Sequence, residues 1–165
     1  MKKNVLVSMV LAASIGSMSV NAKEPIYIGG GLGLNSLTGF DDATGFQFFG
    51  GYELGDMGAK GFNFAVEAGY MDSGEFERST TIPFLGTVTV ATEAKGIWAT
   101  GVAAYAASPT VDLLARLGLD FGDDDGLMIG IGIGFDVNKQ MQLRGEFVTR
   151  DNVDSLQFNV VYHLN

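Results

Sequence analysis

The sequence predicts an all-β protein: an eight-stranded antiparallel up-and-down barrel crossing a membrane, with an extracellular hairpin protruding between strands 3 and 4. Three observations carry that expectation. The chain opens Met1-Lys2-Lys3, runs through an apolar stretch and reaches Val20-Asn21-Ala22, the order of a secretory signal peptide. The remainder divides into segments of about ten alternating residues separated by turns, as transmembrane barrels do. In the closing segment, Leu156, Phe158, Val160, Tyr162 and Leu164 share one face, and Gln157, Asn159, Val161 and His163 the other.

Cleavage is expected after Ala22, so residues 1–22 are read as the leader and residues 23–165 as one barrel domain. A spanning helix fits the leader less well, because Ser, Gly and Asn interrupt it before about 20 apolar residues accumulate. Of ten Lys and Arg residues, two stand in the leader, leaving eight against nineteen Asp and Glu. That balance excludes nucleic acid, whose phosphates demand a basic surface. With no cysteine, neither a disulfide framework nor a thiolate metal site is available. A closed hydrogen-bond ladder would hold such a chain instead.

The first segment is Ile26 to Asn35, with Ile26, Ile28, Leu32 and Leu34 outward and Tyr27, Gly29, Gly31 and Gly33 inward. The second, Gly45 to Leu54, shows Phe46, Phe48, Tyr52 and Leu54 outward, and the third, Phe62 to Met71, turns Glu67 inward. Gly96 to Ala106 is fourth, with Ile97, Ala99, Ala103 and Tyr105 outward. Val111 to Phe121 is fifth, with Asp112, Arg116, Gly118 and Asp120 inward. Leu127 to Val137 is sixth and alternates isoleucines with Gly130, Gly132 and Gly134; Met141 to Arg150 and Ser155 to Asn165 complete the set. An even count puts both chain ends on one side of the membrane.

Alternation alone also fits a soluble barrel, whose apolar face points inward. The leader, the aromatics near strand ends (Tyr52, Tyr70, Tyr105, Phe121, Phe135, Tyr162) and the amphipathic last strand favour lipid outside. Tyr27-Ile28-Gly29, Gly50-Gly51-Tyr52, Glu67-Ala68-Gly69-Tyr70, Ala115-Arg116-Leu117-Gly118 and Arg144-Gly145-Glu146-Phe147 occur in order at barrel spacing. In these motifs the chain resembles the small eight-stranded outer-membrane barrels, such as outer-membrane protein X and the membrane half of outer-membrane protein A. The resemblance implies a Gram-negative outer membrane, insertion by the barrel-assembly machinery, and lipid and lipopolysaccharide as surroundings. Some relatives carry a lumenal Lys–Glu gate on strands four and six. Val102 and Gly134 stand in those places, so the gate is not implied here.

Glu67, Arg116, Arg144 and Glu146 project inward at similar depth and are expected to form an ionic cluster, since buried charge is costly unless paired. The three glycines of strand six should make room for the two guanidinium groups. The cluster reads either as a plug or as part of a narrow pore for ions or small solutes. An enzyme acting on lipid A would need a nucleophile and a base in contact. The only histidine, His163, is expected near the periplasmic end with no serine beside it on its strand, so no catalysis and no cofactor are expected. Asp123-Asp124-Asp125 lacks the ligand spacing of a calcium loop and reads as a solvated turn. With Asp41, Asp42, Asp151 and Asp154 it could ring the outer rim and share divalent cations with lipopolysaccharide phosphates.

Residues 72–95 are expected to extend past the membrane as a hairpin whose tip is apolar: Ile82, Pro83, Phe84, Leu85 and Val88. Such a tip either docks a host or neighbouring surface protein or stiffens the rim. The expected role is therefore structural or adhesive, for a monomer at the cell surface.

Overall fold

A computed structural model describes residues 25–84 and 86–164. The expected leader, residues 1–22, lies outside the described residues, as do Leu85 and Asn165. The strands are β1 (Ile26–Leu37), β2 (Ala43–Gly55), β3 (Phe62–Ile82), β4 (Gly86–Ser108), β5 (Val111–Gly122), β6 (Gly126–Asp136), β7 (Met141–Thr149) and β8 (Val153–His163). Each pairs antiparallel with its chain neighbours, and β1 pairs with β8 from Tyr27↔His163 to Leu37↔Val153, so the barrel closes. Closure leaves the membrane-spanning sheet without an open edge, which is the condition lipid imposes.

The barrel is polar inside and apolar outside. Leu32 and Ile131 are 61% and 65% exposed on the outer wall, whereas Glu67 and Glu146 are 2% and 1% exposed within. Outer aromatics gather at both ends: Phe46, Phe48 and Tyr70 toward one rim, Phe62 and Tyr105 toward the other. Side chains that alternate this way suit a wall standing in lipid with aromatic girdles at its two interfaces.

β3 and β4 depart from the expected ten-residue segments. They run 21 and 23 residues against nine to thirteen for the others, and they stay paired out to Ile82↔Gly86. Between Asp72 and Glu75 the register shifts, with Gly74 at φ 74° donating its N–H to Asp72 Oδ1 at 2.9 Å. The irregularity reverses which face points in. Met71 and Ser73 are buried below it, and Phe76, not an odd-numbered residue, is buried above it. An uninterrupted period of two would have placed Phe76 outside.

Two apolar clusters fill the interior. Tyr27, Phe49, Met71, Trp98, Met128, Val148 and Val161 pack inside the wall. Phe76, Ala43, Ala94 and Val153, with Leu37 and Phe40, close the end that carries the β3–β4 extension.

Candidate functional site

The structure brings Glu67, Arg116, Arg144 and Glu146 together. Glu67 comes from β3, Arg116 from β5 and both Arg144 and Glu146 from β7, and each lies inward because its residue number falls on the buried phase of its strand. Glu67 bridges the arginines: its Oε1 is 2.6 Å from Arg144 Nη1 and its Oε2 is 3.2 Å from Arg116 Nη2. Arg116 Nη2 also stands 2.6 Å from Glu146 Oε2. Tyr27 donates its hydroxyl to Glu67 at 2.7 Å and lies beneath the Arg144 guanidinium, while Trp98 faces that of Arg116. Two acids face two bases, so the cluster is close to neutral and its charges are compensated within the wall.

The network continues in both directions. Arg144 Nε donates to Gln142, whose amide donates to Asp112 and Asp136, each at 2.9 Å. Asn159 donates to Glu146, and Gln47 donates to Asn159 and Gln157. Strand six supplies space in a pattern different from the expected one. A Cβ on Gly130 would stand 2.7 Å from Arg116 Cγ, as anticipated for a guanidinium stem. A Cβ on Gly132 would instead strike Glu146 Cγ at 2.6 Å, and one on Gly134 the Gln142 amide. The correction has a simple cause: Arg144 reaches across toward β3, away from the wall beside it.

A second ionic layer, absent from the sequence reading, lies nearer the β3–β4 extension. Arg150 Nε is 2.7 Å from Asp120 Oδ2, and Arg150 Nη1 donates to Ser155, which donates in turn to Asn35. The signal was available, since Arg150 follows β7 and Asp120 was already on an inward phase. Arg150 also continues the inward phase of Arg144, Glu146 and Val148, and what periodicity could not give is its pairing with Asp120 of β5.

The acidic turn also needs correction. Asp123 and Asp125 are exposed, but Asp124 is 5% exposed and accepts from the backbone N–H groups of Asn152 and Val153 at 2.9 and 3.0 Å. It fastens the β5–β6 turn to the β7–β8 turn and is not a solvated carboxylate. The expected ring with Asp41, Asp42, Asp151 and Asp154 does not converge: among the described residues no three acidic or histidine side chains are grouped as metal ligands would be.

At the opposite end a cavity of about 310 Å³ opens, lined by Glu53, Asp112, Asp136, Arg144 and His163 among others. His163 is buried, with Nε2 3.0 Å from Glu53 Oε1 and its ring against Tyr27. Of the tip residues, Ile82, Phe84 and Val88 are exposed, Pro83 stands in the turn, and Leu85 lies outside the described residues. At the foot of the extension Lys95 pairs with Glu93 at 2.8 Å and Asp72 at 3.3 Å. The bond to Glu93, foremost, holds its ammonium above the ordinary lysine range.

Comparison with known proteins agrees with this architecture. A designed transmembrane β-barrel matches at a TM-score of 0.59 and 12% identity, over 87% of this chain and 98% of the design. The attachment invasion locus protein Ail of Yersinia pestis matches at 0.51 and 14%, over 84% of this chain and 95% of that one. Neisserial surface protein A matches at 0.51 and 15%, over 85% and 97%. At these identities the likeness is one of fold. No curated protein sequence matches the chain. The family model for the outer membrane protein beta-barrel domain matches residues 5–163, nearly the whole sequence, and the chain therefore belongs to that family of outer-membrane barrels.

Proposed function

We propose that the protein is a monomeric, non-enzymatic surface protein whose sealed barrel supports a β-ribbon, formed by the outer parts of β3 and β4, that contacts a host or neighbouring surface protein. The observation that carries this reading is the ribbon's tip. Phe84 is 108% exposed at φ 71°, a conformation unfavourable for a side chain of its size, at the end of the two longest strands. With the N-terminus in the periplasm, the β1–β2, β5–β6 and β7–β8 turns and the ribbon point outside the cell, within lipid and lipopolysaccharide. Residues 1–22 act as the leader, cut near Ala22, and the barrel-assembly machinery inserts the remainder. Attachment, which the name of the Yersinia protein carries, is a role this frame serves well.

Two readings compete. A narrow pore is disfavoured by three successive obstructions: the Glu67 cluster, the Asp120–Arg150 layer and the Phe76 cap. A lipid A-modifying enzyme is disfavoured because the cavity beside His163 is lined by no serine, threonine or cysteine among the described residues. The decisive experiment removes residues 79–89 and joins Arg78 to Val90 through a short glycine turn, keeping Phe76 in place. The shortened protein should insert and migrate heat-modifiably while adhesion to the target surface disappears. Adhesion retained at the wild-type level would overturn the reading.

A further inference from the structure

The ribbon has two different faces. Side chains alternate along it, so Phe76 shares its face with Arg78, Thr80 and Ile82, and cross-strand pairing adds Val90 opposite Arg78 and Val88 opposite Thr80. Phe76 points into the barrel mouth, packed on Ala43 of β2 and Val153 of β8. The face above it therefore looks across the mouth. The opposite face carries a hydroxyl ladder, Ser79 with Thr89 at 2.9 Å and Thr81 with Thr87 at 3.2 Å, and looks away. The inner face is the apolar one: Ile82, Val88 and Val90 are 41–55% exposed with nothing seated against them among the described residues.

Across the mouth stands the turn that follows β7, with the turn that follows β5 flanking it and clasped to it by Asp124, and both are acidic. Asp125 and Asp151 are exposed, and so is Asp123, whose carboxylate also accepts from the Lys95 N–H of β4 at 3.0 Å. The β1–β2 turn adds exposed Asp41 and Asp42, and the Asp41 N–H donates to Glu77 O at 2.8 Å, which braces the ribbon's foot. Basic groups at this end are few. Lys95 is occupied by Glu93 and Asp72, Arg150 is buried on Asp120, and Arg78 leans toward Gly39. An apolar wall on one side and carboxylates on the other define what would fill the space between them.

We infer that this cleft binds a basic amphipathic peptide segment, its apolar face on Ile82, Val88 and Val90 and its cations on the acidic turns. An acidic or uniformly apolar partner would leave the carboxylates desolvated and unpaired, which opposes binding. The inference rests on the surface-interaction reading and names the chemistry of the partner.

The test uses the folded full chain in phosphatidylcholine nanodiscs and a synthetic peptide of about twelve residues alternating Lys and Val, which when extended shows one basic and one apolar face. A peptide of the same composition in two blocks is the control, and empty nanodiscs give the lipid background. The alternating peptide should shift the methyl resonances of Ile82, Val88 and Val90 saturably, leaving Ile131 on the lipid face unmoved. Val88→Ser with Val90→Ser, or Asp123→Asn with Asp125→Asn and Asp151→Asn, should each weaken binding about tenfold or more, and the second set should also lose most of the salt dependence. Equal binding of the block peptide, or unchanged affinity in both variant sets, overturns the inference. So does a dimer in sedimentation that the valine variant abolishes, which would make a second copy the occupant. If the peptide fails to bind while adhesion still requires residues 79–89, the cleft is refuted and the adhesive reading stands. If the peptide binds as described while adhesion ignores the ribbon, the adhesive reading falls and the cleft stands.

Discussion

Glu67 has the most demanding position in the barrel, because one carboxylate serves two guanidinium groups and a phenol. Its replacement takes the carboxylate partner from Arg144 and leaves Arg116 with Glu146 alone, in a site with little access to water. Glu67→Gln should cost about 3–5 kcal/mol in urea unfolding from lipid vesicles. Glu146→Gln should cost less, since it touches only Arg116 and accepts a long bond from Asn159. Equal losses would show that the cluster is not organised around Glu67. Glycine positions divide just as sharply. A Cβ on Gly118 would lie 2.1 Å from Ala99 O, which is backbone and cannot swing aside, while one on Gly50 meets nothing nearer than 3.9 Å. Gly118→Ala should therefore lose several kcal/mol (about 3 or more) or fail to refold, and Gly50→Ala should refold normally by heat-modifiable migration. Four cluster members were legible from inward phase alone. Their pairing was not, because which acid faces which base depends on stagger around the barrel.

At the scale of an element, the β3–β4 ribbon is held at its root by Phe76. Truncation to Ala would open a hole among Ala43, Ala94, Val153, Leu37 and Phe40, a change that in well-packed interiors costs about 3–5 kcal/mol. Here that loss is local, so hydrogen exchange should quicken across residues 76–94 while amides of β6 and β7 keep their protection. Uniform loss over all strands would show the cap to be part of one cooperative unit with the wall. The strand boundaries at the other rim were readable to within a residue or two, since turn residues such as Ser108-Pro109-Thr110 mark them. The length of β3 was not. The third segment is expected to end at Met71 with a hairpin over residues 72–95 beyond it, whereas pairing with β4 makes Asp72-Ser73-Gly74 an irregularity inside one continuous strand.

For the whole molecule, the stacked layers predict a silent protein. Purified material in planar bilayers should give no reproducible openings, whereas combined Glu67→Ala, Arg116→Ala, Arg150→Ala and Phe76→Ala replacement should introduce them by removing obstructions at all three depths. Reproducible openings in the unmodified protein would restore the pore reading. The cavity near His163 does not change this expectation, because it ends against Arg144 and Tyr27 and does not reach the far rim.

Taken alone, the sequence determined the class of fold and its inside-out polarity. A period of two, repeated eight times with charges on one phase and aliphatic residues on the other, has few closed solutions. Below the Asp72–Glu75 irregularity it also determined which residues enter the barrel, because phase along an unbroken strand is a local property. Tertiary structure decided everything that depends on how strands slide past one another: the Glu67 bridge, the Asp120–Arg150 layer, Asp124 as a clasp between turns, and the reversal that buries Phe76. Those contacts join residues up to 120 positions apart, and the register that brings them together is fixed by pairing around a closed ring, not by any neighbouring residue.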